Sequence, residues 1–470
     1  KRVKKIHDKL GVSTLDDLDK AAKNGRIRNI EGFGAKTEES ILEGIKQVRQ
    51  GQQRRLRVEV EASAADCVAH LKKADKVQHV IIAGSFRRHR ETVHDLDILA
   101  TCSKGSNIMD HFVFFDEVGK VVSKGEIRST VILRSGLQVD LRIVPQVSYG
   151  AALQYFTGSK EHNIGIRKMG VKRNLTINEY GIFRRKKRIG GRTEGEVYDA
   201  VGLPWIEPEL RENRGEIDAA KKRKLPILVT LEDIRGDLHV HSNYTDGKEP
   251  LEKMVDAARA RNYEYVAVTD HSRHVRVARG LDVRRLHKQI EEINKLNDSV
   301  KDIVILKGIE LDILADGSLD LPDEVLKELD FTVCSVHYKF GLPEKEQTRR
   351  VIRAMDNRYF TVLGHPTGRM INERPPYEID IEQVLDAAAG RGCFMEINGQ
   401  PHRLDLPDHY CRAAKDRGVK CVLSTDAHLG ANLDFIRHAV AQARRGWLEP
   451  DDIVNTRNGS ELKTLLTQRR

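Results

Sequence analysis

Hydrophobic and polar residues follow two rhythms along the chain. From Gly236 onward, short apolar runs at 237–240, 264–268, 303–309, 331–336, 361–364, 392–397 and 419–424 alternate with helical patterns such as 249–261, 281–298 and 405–417. Seven such repeats in a row predict a parallel α/β barrel over 236–470. The earlier part of the chain reads differently. Residues 1–50 and about 55–72 carry helical patterns and predict a helical region over 1–72. Val80, Ile81 and Ile82 read as a buried strand that opens at Gly84 into a polar turn and returns on a strand carrying Asp95 and Asp97. Apolar or alternating segments near 112–115, 128–134 and 137–144 predict further strands of an α+β domain over 73–145. Over 146–204 the pattern predicts a helix at 149–164 broken at Gly158 and restarted, a strand at 175–183 and a basic turn at 183–191. Residues 205–235, proline-bearing and of mixed charge, predict an interdomain linker with some helix.

Composition fits this division. A chain of 470 residues is expected to form roughly three domains, and 39% hydrophobic content suffices for ordinary cores. Charge is uneven: residues 1–225 hold 44 Lys and Arg against 30 Asp and Glu, whereas 226–470 hold 36 against 40. The basic first half suits a polyanionic partner such as nucleic acid, and is also compatible with a merely solvated basic surface. The six cysteines include no C-x-x-C pair, which argues against a disulfide framework or structural zinc and for a reducing cytoplasm. No run of about 18 apolar residues occurs, so no membrane span is predicted, and no signal peptide opens the chain. The opening KRVKKIH reads as the interior of a helix, so a further N-terminal portion is expected before it.

Chemistry concentrates at three places. In GSFRRHRETVHDLD, Asp95 and Asp97 are two apart on a strand and face the same way. Paired carboxylates repel unless a cation such as Mg²⁺ lies between them. Gly84 allows close backbone approach to an anion, and Arg87 and Arg88 add positive charge beside it. Asp140, mid-strand in LQVDLRIV, is a costly buried charge unless it completes that site. A metal-held nucleotide is the expected occupant. The second place is IEGFGAK, where Gly32 and Gly34 make a tight turn before a helix bearing Lys36. A helix start of this kind holds a DNA phosphate, and the same pattern serves a purely structural αα-hairpin. Tyr155 and Phe156 close a helix beside Gly158, which suits core packing as well as a ligand.

The third place is the barrel's C-terminal rim, where barrel active sites form. Strand ends carry His239 and His241 with Asp246 in the next loop, then His271, Glu310, His337, His365, Glu396 with Asn398, and Asp426 with His428. Barrel packing does not call for imidazole or carboxylate at all seven ends. Mixed N and O donors predict a cluster of two or three Mn²⁺, Zn²⁺ or Fe²⁺ ions that hydrolyses phosphoesters.

With these residues in view, 236–470 resembles the PHP (polymerase and histidinol phosphatase) family, through DLHVHSNYTDG, TDHS, GIELDI, SVHYKF, GHP and TDAH. The resemblance implies a trinuclear site on His239, His241, Asp246, His271, Glu310, His337, His365, Asp426 and His428, with Arg403 meeting substrate phosphate. The first half resembles a family X DNA polymerase of the bacterial and archaeal PolX type, through the Gly84-Ser85 turn, Arg88, the Asp-x-Asp motif and YFTGSKEHN. That implies a multidomain α/β and α+β protein: helix–hairpin–helix, nucleotidyltransferase palm, thumb, then a distorted (β/α)7 PHP barrel. It implies catalytic Asp95, Asp97 and Asp140 with Mg²⁺ or Mn²⁺, and Ser85 and Arg88 on the triphosphate. Tyr155, Phe156 and Gly158 would lie under the sugar, with Asn163 and Arg167 facing the base pair. Gapped or primed DNA and dNTPs would be the partners of a cytoplasmic, nucleoid-associated monomer acting in DNA repair. By this resemblance the family's usual small N-terminal lyase-like domain is expected to be missing ahead of residue 1, and His89 and His94 stand where the family usually has small residues. A small-molecule phosphoesterase with a degenerate polymerase-like adaptor, a DNA-binding scaffold and a small-molecule nucleotidyltransferase are the competing readings.

Overall fold

The computed structural model describes residues 2–52 and 54–467. They fall into two compact units, Lys1–Gly158 with Arg167–Val201, and Ser159–Ile166 with Gly202–Arg470.

The first unit opens with α1 (Arg2–Leu10), α2 (Leu15–Lys23) and α3 (Ala35–Gln52), which share a small core of Ile6, Ala21, Ile27, Ile30 and Phe33. Thr14 caps α2 through a reciprocal capping box with Asp17. The turn into α3 is shaped by buried Glu38, whose carboxylate accepts the N–H groups of Ile27 and Arg28. Next come β1 (Arg55–Leu56), α4 (Arg57–Leu71), β2 (Val77–Ile82), α5 (Gly84–Arg87), β3 (Thr92–Val93), β4 (Asp95–Cys102), α6 (Ile108–Val113), β5 (Val118–Lys124), β6 (Arg128–Leu133) and β7 (Gln138–Ile143). Five strands form one sheet in the order β2-β4-β7-β6-β5, with β4 and β7 parallel. The period of two along β4 sends Leu96, Ile98 and Ala100 into the core under α4 and α6, leaving Asp95 and Asp97 on the other face.

Two expectations fail here. Residues 112–115 are not a strand but the end of α6 and its turn, with Phe112 packed in the core. The strand is β5, an edge strand whose residues are nearly all exposed, so no buried face marked it. The unit continues with α7 (Tyr149–Thr157), the part of α8 (Lys160–Lys172) from Arg167 onward, β8 (Leu175–Asn178), β9 (Gly181–Arg184), β10 (Lys187–Gly190) and α9 (Glu194–Ala200); α8 up to Ile166 belongs to the second unit. Gly158 ends α7 at φ 74°, a left-handed conformation that glycine adopts without strain. The segment 175–183 is a hairpin rather than one strand, and the basic turn 183–191 contains β10, the charged outer strand of a three-stranded sheet.

The second unit includes 205–235, expected as a linker. These residues bear α10 (Glu216–Lys221) and are pinned along the unit: Glu209 pairs with Arg444 at 2.8 Å, Glu212 with Arg445 at 3.0 Å, and the Val229 N–H donates to Leu448. The barrel then runs β11 (Gly236–Val240), α11 (Leu251–Arg259), β12 (Tyr265–Val268), α12 (Val283–Ser299), β13 (Val304–Asp312), α13 (Asp323–Leu326), β14 (Phe331–Ser335), α14 (Glu344–Ala354), β15 (Val362–Leu363), α15 (Ile381–Arg391), β16 (Phe394–Asn398), α16 (Asp408–Asp416), β17 (Cys421–Ser424), α17 (Ile436–Arg445) and α18 (Gly459–Thr467). All seven strands are parallel and adjacent in chain order. The His241 N–H donates to Ala427 at 2.8 Å and brings the last strand beside the first. Leu238, Tyr265, Phe331, Val333, Val362 and Val422 form one buried cluster with Leu462 and Leu466 of α18. Every strand therefore ends at one rim. Among the described residues, no helix is long and apolar enough to cross a membrane.

Candidate functional site

In the first unit, parallel pairing sets Asp97 directly opposite Asp140, with Asp95 two residues before Asp97. Asp140 accepts from Thr130 Oγ1 at 2.6 Å, Gln138 Nε2 at 2.8 Å and Arg128 Nη2 at 3.0 Å. Burial works against its charge, yet these donors hold Asp140 below the usual carboxylate range. Asp97 lacks such support: burial, then the charges of Asp95 and Asp140, push it up to about 6. A cation between the three would relieve that repulsion. Gly84 sits at φ 61°, where an added Cβ would lie 2.5 Å from Asp97 Oδ2, so any side chain would collide with the acid cluster. His94 Nδ1 lies 3.6 Å from Asp95 Oδ2.

The two arginines differ from expectation in one respect. Arg87 is not free positive charge: it pairs with Glu194 through both nitrogens, at 2.8 and 2.7 Å, and donates to Thr157 Oγ1 at 2.7 Å. Its partner lies far along the chain: the pair fastens α5 to the start of α9, and the Thr157 contact ties α5 to the end of α7. Arg88 donates to the Thr157 carbonyl, beside Gly158. Ser85 stands in the first turn of α5, half-buried. Tyr155 and Phe156 meet edge to face at 5.2 Å, with Arg167 over Tyr155 and Arg142 over Phe156. Asn163 and Arg167 are one turn apart on α8, Asn163 buried within the second unit and Arg167 exposed in the first. Gly32, Gly34 and Lys36 lie at the turn into α3, with Lys36 exposed.

At the barrel rim all nine candidate ligands converge around Glu310, which is 1% exposed. Its Oε1 lies 2.9 Å from His365 Nε2 and 3.1 Å from His337 Nε2. Its Oε2 lies 3.0 Å from His271 Nδ1, 3.4 Å from His239 Nε2 and 3.6 Å from His241 Nε2. Asp246 lies 3.4 Å from both His271 and His428, and Asp426 lies 3.1 Å from His241. Three overlapping groups result, each with donor atoms within 4.8 Å of one another: His241, Asp246, His271 and His428; His239, His241 and Glu310; His271, Glu310 and His337. Burial opposes the Glu310 charge, but His271, His337 and His239 hold it well below the carboxylate range. Burial, with His428 and His271 adjacent, pushes His241 down, toward the neutral ring that ligates metals.

The donors fit divalent cations on one further ground. His239 Nε2, both nitrogens of His241 and His271 Nδ1 are buried without an aligned hydrogen bond, which is costly unless a cation takes their lone pairs. His365 and Asp426 hold left-handed backbones, at φ 25° and 52°, two strained positions within the cluster. Residues outside the predicted ligand set orient it. Glu396 accepts from His239 Nδ1 at 2.6 Å, Asp312 lies 3.2 Å from His337 Nδ1, and Asp270 accepts from the Ser242 N–H at 2.9 Å, fixing the loop that bears Asp246. Asp312 had a signal, standing two residues after Glu310 on the same strand face. Arg403 Nε lies 3.6 Å from Asp426 Oδ2, at the edge of the cluster.

Comparison with known proteins identifies the domains that carry the two clusters. Family profiles match residues 54–148 as DNA polymerase beta palm, 152–212 as DNA polymerase beta thumb and 237–400 as PHP domain. A DNA polymerase/3′-5′ exonuclease PolX of Bacillus subtilis is 35% identical over 99% of this chain and 82% of its own length. A probable phosphatase of a Thermoanaerobacter species is 31% identical over 37% of this chain and 73% of its own. A Leishmania infantum polymerase beta structure, a ternary P/T complex, aligns at TM-score 0.36 and 21% identity over 44% of this chain and 91% of its own. With a palm, a thumb and a PHP barrel in one order, and a relative matched nearly end to end, the chain belongs to the PolX family of DNA polymerase/3′-5′ exonucleases.

Proposed function

We propose that this enzyme fills short gaps in DNA with the palm and prepares 3′ ends for it with the barrel, acting in DNA repair. In the palm, Asp95, Asp97 and Asp140 would hold two Mg²⁺ or Mn²⁺ ions; at the rim, the six histidines with Asp246, Glu310 and Asp426 would hold two or three of Mn²⁺, Zn²⁺ or Fe²⁺. Divalent cations in such sites acidify the attacking hydroxyl or water and neutralise phosphoryl oxygens.

The chain's own side chains do the rest. Thr130, Gln138 and Arg128 hold the Asp140 carboxylate still, so that the primer 3′ end meets a fixed acid. Gly84 leaves room for the Asp97 carboxylate against the start of α5, and Ser85 and Arg88 bind the triphosphate. Tyr155 and Phe156 lie under the sugar and disfavour a 2′-hydroxyl, with Gly158 in the same contact; Asn163 and Arg167 face the base pair. Gly32, Gly34 and Lys36 grip a backbone phosphate. In the barrel, Glu310 presents one oxygen to His337 and His365 and the other to His239, His241 and His271, so each oxygen would hold a cation together with its imidazoles. That two-sided placement of Glu310 is the observation that most supports a multinuclear phosphoesterase.

The deciding test is a gapped duplex with a 3′-phosphate-blocked, 5′-labelled primer, incubated with dNTPs and Mg²⁺ or Mn²⁺. Unblocking or trimming followed by extension to the gap length is expected. Hydrolysis of small phosphate monoesters with no primer extension would favour the small-molecule phosphoesterase instead.

A further inference from the structure

The connection from β12 to α12 leaves the metal cluster at His271 and returns at Leu281, whose N–H donates back to the His271 carbonyl at 2.7 Å. The loop between them is held firmly. Asp320 accepts from Ser272 Oγ at 2.8 Å and from the His274 N–H at 3.1 Å. The Gly280 N–H donates to Val275 at 3.1 Å, and Arg279, left-handed at φ 58°, reaches the Thr245 carbonyl next to Asp246.

What this braced loop displays is unusual for the barrel. Val277 at its tip is 98% exposed, the most exposed large apolar side chain among the described residues. Arg273 and Arg276 beside it are exposed, and neither is ion-paired among the described residues. Several other barrel-surface arginines are paired, Arg259 with Asp302, Arg261 with Asp434, Arg412 with Asp416 and Arg417 with Asp386, whereas Arg284 and Arg349, exposed on helices, have no ion pair among the described residues. What sets Arg273 and Arg276 apart is their place beside the bare apolar tip, in the loop that leaves His271. His274, also exposed, packs against Tyr338, the residue after His337, with ring centroids 4.4 Å apart and the planes tilted by 43°, so two rings flank the same rim. Unpaired cations interleaved with a bare apolar tip and a ring platform suit a single-stranded polyanion whose bases stack without regard to sequence.

We infer that loop 272–281 is the DNA-gripping rim of the barrel: Arg273 and Arg276 take backbone phosphates, and Val277 with His274 meets the bases of the strand whose 3′ end enters the metal cluster. The inference rests on the reading that the barrel hydrolyses DNA 3′ ends, and names how it chooses DNA over small phosphoesters. The test uses the full chain with Arg273→Ala and Arg276→Ala combined, a 5′-labelled single-stranded oligodeoxynucleotide, and bis-p-nitrophenyl phosphate as a substrate without bases. A separate variant carries a photo-crosslinking benzophenone residue at position 277.

Trimming of DNA by the double variant should fall by at least about tenfold at physiological salt, and its log–log salt slope should flatten by about 1.4, for two lost single-strand phosphate contacts. Bis-p-nitrophenyl phosphate hydrolysis should hold within about twofold, and position 277 should crosslink to the labelled strand. Unchanged trimming and salt slope would overturn the proposal. Equal loss on both substrates would overturn it too, since the loop would then only brace the metal ligands. If the wild type trims no DNA yet position 277 crosslinks to it, the grip stands while the hydrolytic reading falls; absence of both sinks both.

Discussion

The palm and barrel clusters solve the same problem, crowded acids, with different materials. In the palm three carboxylates face one another. Two lack full support, and Asp97 is driven up to about 6 by burial and its neighbours. The Asp95 side chain remains 36% exposed. At the barrel rim, Glu310 is 1% exposed and ringed by imidazoles that keep it ionised. The palm cluster is thus all-oxygen and partly open, a donor set that suits hard cations. The barrel cluster is deep and nitrogen-rich, a donor set that suits softer divalent ions. The difference teaches that donor type and depth would set the cation preference of each site.

The largest effect expected from breaking this contrast comes from Glu310. Glu310→Ala should lower hydrolysis by about 10³-fold or more, the loss of several kcal/mol of charge stabilisation, with primer extension kept. Metal analysis of the purified variant should show fewer bound ions per chain than wild type. Next comes a residue that touches no predicted cation position. Asp312→Asn weakens the hold on His337 Nδ1 and should cost about 10–100-fold in metal affinity at the rim, read by competition with a chelator.

The smallest effect sharpens the palm side. Asp97 ionises at about 6 in the folded, metal-free protein against 3.8 ordinarily, so the folded state binds its proton more tightly than the unfolded state. Its contribution to stability is therefore lost as pH rises from about 4 through 6 and stays lost above. Asp97→Asn should stabilise the metal-free protein by about 1–2 kcal/mol at pH 7.5, after allowing for solvent screening, and by little at pH 4. Urea unfolding in EDTA at both pH values measures it.

Much of this was legible before any coordinates. The barrel could be read because each strand carries its own apolar run and ends in a His, Asp or Glu, so local pattern and chemistry coincide. Asp95 and Asp97 share a strand face for the same local reason. Long-range pairing was not legible. That Asp140 stands opposite Asp97 depends on parallel register between β4 and β7. That Arg87 is neutralised depends on Glu194, 107 residues away. Edge strands also hid: β5 and β10 have little or no buried face, so their periodicity carries no hydrophobic signal. The span 205–235 reads as a linker by composition because its anchors are isolated acids such as Glu209 and Glu212 meeting arginines of α17.

The central claim is that synthesis and hydrolysis belong to separate cation clusters. One labelled primer on a gapped template, with dNTPs and divalent metal, tests it with Asp140→Ala and Glu310→Ala side by side. The account predicts that Asp140→Ala only shortens the primer and Glu310→Ala only lengthens it. Loss of both activities in either folded variant would contradict it.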